Sequence, residues 1–185
     1  MIDEKELIPR ILHGDMKAFE VLVTQYQGLV FHVVNRIINM QEDKEDICQE
    51  VFMKVHQHLR RFEYKSRLST WIARIAYLTA INYSKKYSAG MMVSHPEDIE
   101  NYSFTDEHPG RLLDKKDVTA YINRLIAQMP EQYRTVLTLY HLNEFSYQEI
   151  EEITGMPEGT VKSYLFRGRK LLKDKLGIYL KNEVS

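Results

Sequence analysis

Residues 146–172 read SYQEIEEITGMPEGTVKSYLFRGRKLL, and how this stretch folds decides the architecture of the chain. Ser146 and Glu149 have the spacing of a capping box, in which a hydroxyl and a carboxylate each satisfy a free amide at the start of a helix. Ile150 and Ile153 follow at helical spacing. Gly155 and Pro157 then mark a tight turn, and a last helix is expected to run to about Leu176. At roughly 100° per residue, Val161, Leu165, Gly168 and Leu172 fall on one side of that helix. Ser163, Phe166, Arg167 and Lys170 fall roughly opposite, with Lys162 and Arg169 on one flank and Thr160 on the other. The first set suits packing against Ile150 and Ile153. The second suits a DNA major groove, where arginine reads guanine edges and serine, threonine and lysine serve bases or phosphates. The free amides at the helix start could also hold a phosphate. The whole is a helix-turn-helix pattern; an ordinary amphipathic C-terminal helix is the plainer alternative.

Outward from this stretch, helical periodicity recurs and strand alternation does not. Pro130 is expected to open the preceding helix, with Tyr133, Val136, Leu137 and Tyr140 inward. Residues 114–128 form another, through Val118, Ile122, Leu125 and Ile126. Residues 89–113, with two glycines, two prolines and few spaced apolar residues, read as a linker. In front of it, residues 70–86 form a helix capped by Ser69, with Trp71, Ile72, Ile75, Ala76 and Thr79 on its packing face. Residues 44–60 place Ile47, Val51, Val55 and Leu59 four apart, with Asp43 as N-cap and Asp46 near the positive end of the helix. Residues 17–38 carry one apolar stripe from Phe19 through Leu22, Tyr26, Val30 and Val33 to Ile37. The fold class expected is all-α: two small helical domains, 1–88 and 114–185, joined by the linker 89–113.

Composition narrows the function. The chain has 185 residues and a formal net charge of −1, so only the distribution of charge informs. Residues 54–86 hold eight cations against Glu63 alone, and residues 159–176 hold six against Asp174. Acidic stretches at 41–50 and 89–111 precede and separate them. Two basic segments suggest two contacts with a polyanion. The first residues, MIDEKELIPR, do not read as a secretory signal, and no run is apolar and long enough to span a membrane. The single cysteine, Cys48, excludes an internal disulfide, fits a reducing cytoplasm and makes a structural zinc site improbable. The seven histidines are scattered, and no HExxH, P-loop or Gly-rich dinucleotide motif is present. No catalytic residue, metal or cofactor is expected.

The chain also resembles a known family. MPEQYRTVLTLYHLNEFSYQEIEEITGMPEGTVKSYLFRGRKLL (129–172) is similar to region 4 of bacterial sigma factors of the extracytoplasmic-function (ECF) group. GDMKAFEVLVTQY (14–26) resembles region 2.1, DKEDICQEVFMKV (43–55) region 2.2, and RLSTWIARIA (67–76) regions 2.3 and 2.4. The resemblance covers nearly everything except the linker. It implies a protein that binds core RNA polymerase, directs it to promoters and helps open the DNA. Region 2.2 implies polymerase contacts at Asp46, Gln49, Glu50 and Phe52. Helical geometry puts the first three on the face opposite Ile47 and Val51, an acidic face suited to a basic partner. Phe52 lies nearer the apolar stripe and has a core reading as well. Regions 2.3 and 2.4 imply capture of the promoter −10 element, partly as unstacked single strand, by residues 62–68 and the helix after them. Arg61, Lys65, Arg67, Arg74 and Lys85 suit phosphates there. Tyr64, Trp71 and Tyr77 offer stacking surfaces, each base stacked being worth roughly 1–3 kcal/mol. Ser69 and Asn82 complete the set, and Trp71 serves equally as core.

Region 4 implies that Thr160, Lys162, Ser163, Phe166, Arg167, Arg169 and Lys170 face the −35 element. Leu78, Asn82, Tyr164 and Gly168 depart from the residues frequent in the family, which have asparagine, aspartate, arginine and alanine there. Many members are held by an anti-sigma factor, a partner the resemblance allows. Two other classes remain open on sequence: a helix-turn-helix regulator working without polymerase, and a recombinase or nuclease using the motif for targeting.

Overall fold

The structure, a computed structural model, describes residues 4–38, 40–87, 104 and 115–184. Among them are eight α-helices, one short 3-10 turn and no strand. The front half holds α1 (Glu4–Leu12), α2 (Met16–Ile37), α3 (Gln41–His58), the 3-10 turn Leu59–Arg61, and α4 (Leu68–Tyr87). The back half holds α5 (Lys115–Gln128), α6 (Glu131–His141), α7 (Tyr147–Thr154) and α8 (Glu158–Val184). The expected linker, 89–113, lies outside the described residues except for Phe104, which is buried and has Lys175 Nζ over its ring.

The long helix α2 organises the front half. Asp15 caps it, its carboxylate accepting from the Ala18 amide at 3.1 Å and from Arg10 at 2.8 Å. That guanidinium and the amide hold the Asp15 carboxyl below its ordinary value. The α2 stripe buries Leu22, Tyr26, Val30, Val33, Val34 and Ile37. From α3 it meets Ile47, Val51 and Val55, and from α4 Ile72, Ala73, Ala76 and Ala80, all buried. In the back half, α6 is buried on several sides at once: Tyr133, Thr135, Val136, Leu137, Thr138 and Leu139 are all inaccessible. The capping box of α7 is complete, with the Glu149 amide donating to Ser146 Oγ at 3.2 Å and the Ser146 amide to Glu149 Oε2 at 2.9 Å. Gly155 ends α7 at φ 76°, in the left-handed region where glycine is unstrained, and its amide closes on Glu151 O at 2.8 Å.

Several local expectations are corrected. The chain forms a helix, α1, that the sequence pattern did not flag. Its Leu7, Ile8 and Ile11 are buried although Pro9 sits inside it. Helix α3 starts at Gln41 with Met40 as N-cap, so Asp43 lies in the first turn rather than capping it. There it still faces the positive end of the helix. Helix α4 begins at Leu68, and the Trp71 amide donates to Arg67 O, so Ser69 is inside the first turn and not the cap. Tyr77, offered as a stacking surface, is buried; burial, with the charge of Glu131, pushes its hydroxyl up to about 12. Helix α8 continues past the expected end near Leu176 to Val184, with Leu171, Leu172 and Leu176 packing on the core.

The two halves touch. Helix α2 packs on α6 and α4 on α7, and the buried apolar residues form one continuous cluster across both. Tighter still is α8 on α6, where a Cβ at Gly168 would stand 3.1 Å from Leu137 Cδ1 and 3.5 Å from Tyr133 Cδ1. Glycine, where alanine is frequent in the family, suits this close approach. An alanine in an open helix position gains about 1 kcal/mol over glycine. Gly177→Ala, with nothing within 4 Å of its Cβ, is therefore expected to raise stability in urea denaturation by about 1 kcal/mol. Gly168→Ala is expected to show little or none of that gain.

Candidate nucleic-acid and protein interfaces

The outer face of α8 is built as its periodicity dictates. Val161 and Leu165 are buried against α7 and α6, Gly168 lies on the same side, and Leu172 packs partly beside them. On the far side Ser163, Phe166, Arg167 and Lys170 are exposed, and Phe166, at 70% accessible, is the most exposed large apolar residue described. Thr160 is half-buried at the start of the helix. Lys162 stands outward but pairs with Glu158 at 2.5 Å and lies 5.5 Å over the Tyr147 ring. That pairing raises its ammonium above the ordinary value. A shallow groove runs between Tyr147 and α8, lined by Lys162, Phe166, Arg169, Lys170 and Lys173.

Arg169 differs from its neighbours. Its guanidinium stacks 4.7 Å over the Tyr140 ring and donates from Nε to His141 Nε2 at 3.1 Å. Burial, then the nearby Arg169 charge, holds His141 below its ordinary value and so keeps its ring nitrogen available as acceptor. Arg169 thus links α8 to α6 in this structure. Tyr164, the departure from arginine, is half-buried with its ring 4.6 Å from that of Tyr133, away from the outer face.

The second basic surface follows α3. Tyr64 sits in the left-handed region at φ 57°, with its ring 4.8 Å from Phe62, and Phe62 lies 5.4 Å from Trp71. Phe62 is buried, Trp71 half-buried and Tyr64 open, so one aromatic ladder leads from the core to the surface. Arg61 and Lys65 are exposed, Lys65 beside the Glu63 carboxylate. Asn82 and Lys85 are exposed farther along α4, where Leu78 is exposed too. Ser69 is half-buried.

The remaining two cations of that set are engaged by the back half. Arg67 Nη1 lies 3.3 Å from Glu149 Oε1, and the Arg74 guanidinium donates to the Glu152 carbonyl. The hydroxyl of Thr70, fully buried, donates to the same Glu149 Oε1 at 2.9 Å. Burial alone would raise the Glu149 carboxyl. Hydrogen bonds from Ser146 and Thr70, with the charge of Arg67, outweigh it and hold the group below its ordinary value. Sequence reasoning missed Thr70; no spacing rule marks a hydroxyl whose partner is 79 residues away.

The third surface lies on α3. Asp46, Gln49 and Glu50 are exposed, with Glu50 paired to Lys54 at 2.6 Å. Phe52 is half-buried and forms part of an apolar groove between α2 and α3 with Met16, Phe19, Val23, Gln49, Met53 and His56. Met16 and Met53 are both more than half exposed. Cys48 is half-buried, and burial followed by the charge of Glu45 pushes its thiol up to about 11. Among the described residues no group of acidic, histidine or cysteine side chains could hold a metal ion, and no helix is long and apolar enough to cross a membrane.

Comparison with known proteins accords with this arrangement. Residues 22–89 match the family model of sigma-70 region 2, and residues 119–172 match that of sigma-70 region 4. The RNA polymerase sigma-H factor of Pseudomonas aeruginosa is 31% identical over 180 residues, covering 94% of this chain and 93% of that protein. The ECF RNA polymerase sigma-E factor of Escherichia coli is 33% identical over 182 residues, covering 95% of each. In fold, the chain is similar to CnrH in its complex with the cytosolic domain of CnrY (TM-score 0.66, 16% identity, 95% and 97% covered). It is similar as well to the sigma factor RpoE of Bartonella quintana in complex with the anti-sigma factor NepR (TM-score 0.65, 21% identity, 88% and 98% covered).

The chain belongs to the sigma-70 family of RNA polymerase sigma factors, in its extracytoplasmic-function group. Its function is that of a sigma factor, directing RNA polymerase to promoters. None of these findings favours the regulator that would act without polymerase.

The different settings of Arg167 and Arg169 have a measurable consequence. Arg169→Ala, which removes a cation stacked on a ring, is expected to cost about 0.5–1 kcal/mol in urea denaturation. Arg167→Ala is expected to leave stability unchanged and instead lower the salt dependence of promoter binding by the polymerase complex. Equal stability losses in the two variants would contradict this division.

Proposed function

We propose a division of labour among the three surfaces. In this reading residues 1–88 form the polymerase- and −10-binding unit, 89–113 the linker, and 114–185 the −35-binding unit. Asp46, Gln49, Glu50 and Phe52 contact core polymerase, the acids steering toward a basic partner and Phe52 joining through the apolar groove. Arg61, Tyr64, Lys65, Arg67, Ser69, Trp71, Arg74, Asn82 and Lys85 receive the −10 element, with Tyr64 and Trp71 as its stacking end and the cations along its phosphates. Thr160, Lys162, Ser163, Phe166, Arg167 and Lys170 meet the −35 element in the major groove. Arg169 belongs to the same face, but its bonds within the protein favour a role in holding that face in place. The protein works in the cytoplasm, without catalytic activity or cofactor of its own. An anti-sigma factor is a further partner, by likeness to the Bartonella quintana complex.

The observation that supports this reading most is the outer row of α8. Ser163, Phe166, Arg167 and Lys170 stand exposed on a helix whose other face is buried. A solvated helix does not ordinarily leave a phenylalanine in the middle of its cationic face, whereas a groove-reading helix uses apolar contact with thymine methyl groups.

Two experiments test the division. Replacing Arg167 and Lys170 with alanine is expected to weaken −35-dependent transcription by at least about tenfold, each good base contact being worth roughly 1–3 kcal/mol, while co-purification with core polymerase persists. Equal loss of polymerase binding would contradict it. Conversely, Asp46→Ala or Gln49→Ala is expected to lower the yield of a polymerase pull-down, without changing thermal stability. Yields equal to wild type would remove those residues from the docking surface.

A further inference from the structure

Beneath the cationic face of α8 lies a pair of tyrosines from two other helices. Tyr140 of α6 and Tyr147 of α7 stack with ring centroids 5.3 Å apart and planes 21° from parallel. Each ring carries one cation of α8. Lys162 Nζ lies 5.5 Å from the Tyr147 centroid, and the Arg169 guanidinium 4.7 Å from that of Tyr140. The two cations are two helical turns apart, so they leave α8 on the same side, about 10 Å from one another along the axis. We propose that the tyrosine pair is the template that sets these cations for DNA. Tyr140 and Tyr147 are positioning residues of −35 recognition and act through Arg169 and Lys162. The proposal rests on the reading of the outer face of α8 as the −35 contact.

Three features favour a positioning role over plain packing. First, both tyrosines are half-buried and rest on the core, which fixes the rings, yet each ring still meets a cation. Apolar volume under α8 is already supplied by Val161 and Leu165; what an aromatic ring adds is the negative face that attracts a cation. Second, each cation is held from another side by a group that fixes its direction. Glu158 pairs with Lys162 at 2.5 Å, while the Lys162 side chain stays 55% exposed. His141 Nε2 accepts from Arg169 Nε at 3.1 Å. That bond uses one of the guanidinium N–H groups and leaves those on the two Nη atoms for an outside acceptor. Third, the groove between Tyr147 and α8 has Lys162, Arg169, Lys170 and Lys173 in its walls and no carboxylate among its lining residues. A polyanionic strand is the partner that such a groove fits. Long cationic side chains lose conformational entropy when a partner orders them. Rings that hold them beforehand reduce that loss at the moment of binding.

The test uses the full chain assembled with core polymerase, and reads affinity for a labelled promoter fragment by fluorescence anisotropy. Tyr140→Leu with Tyr147→Leu keeps apolar bulk and removes the ring faces; Tyr140→Phe with Tyr147→Phe keeps the faces. The leucine pair is expected to weaken promoter binding several-fold, and the phenylalanine pair to bind as the wild type does. Coupling to the cations decides the matter. In a chain already carrying Lys162→Gln and Arg169→Gln, the leucine pair is expected to cause no further loss. A packing role alone would lower affinity by the same factor in both backgrounds, and that result would overturn the proposal. Wild-type affinity of the leucine pair would overturn it too, as would an equal loss in the phenylalanine pair, which would assign the effect to the hydroxyls. Tyr147→Leu with Lys162→Gln forms the same cycle with a smaller change in packing, and is read the same way where the larger cycle does not fold. If Lys162→Gln with Arg169→Gln binds as the wild type does, the template has no DNA task and the proposal falls alone. If Arg167→Ala with Lys170→Ala also keeps wild-type affinity, the −35 reading falls with it.

Discussion

One carboxylate, Glu149, bridges the two halves of the chain where α7 packs on α4. Its backbone position is set by local chemistry, because the capping box with Ser146 must close for α7 to start. Once α7 starts there, Ile150 and Ile153 turn inward, Gly155 reverses the chain, and α8 leaves with Val161 and Leu165 buried and its cations outward. The same side chain then reaches α4 through Thr70 and Arg67. The Ser146 amide, the Thr70 hydroxyl and the Arg67 guanidinium on one carboxylate outweigh the cost of its partial burial and hold the group below its ordinary value.

A net charge of −1 hides a strongly polarised molecule. The cations gather on α8, on residues 60–67 and on α4, and the acids on the first half of α3. Such separation costs little when opposite charges are spread over different surfaces, and it directs encounters with DNA and with a protein partner to different faces. Packing decides which cations remain available. Arg167 and Lys170 point to solvent, while Arg169 is bound to Tyr140 and His141, and Arg67 and Arg74 to α7.

Much of the fold was legible because it rests on local rules. The Ser146–Glu149 spacing, the Gly155 turn, and the three- and four-residue steps along α2, α3, α6 and α8 each stated their own geometry, and Ile47, Val51, Val55 and Leu59 are all buried as their spacing requires. Helix ends were less legible. Asp43 and Ser69 are good capping residues, but they lie just inside helices that start at Gln41 and at Leu68, the latter fully buried. Helix α1 was hidden by its brevity and by Pro9, and held in place by burial of Leu7, Ile8 and Ile11. At the candidate sites, the outer row of α8 could be named from a wheel. The engagement of Arg169, Arg67 and Arg74 could not, since each partner is distant in sequence. Nor could the groove between α2 and α3, which takes one wall from each helix. Tyr77 shows the limit of reading aromatics near cations as stacking surfaces: its position on α4 faces the core.

In the proposed reading these features make a chain with two DNA faces and one protein face, engaged together at a promoter. Potassium permanganate reactivity of thymines across a promoter measures this most directly, because it reports unpaired bases. With core polymerase from the same cell and this chain both present, reactive thymines should appear around the −10 element, and neither component alone should produce them. Reactivity absent from every promoter tried with the complete complex, or present with this chain alone, would contradict the account.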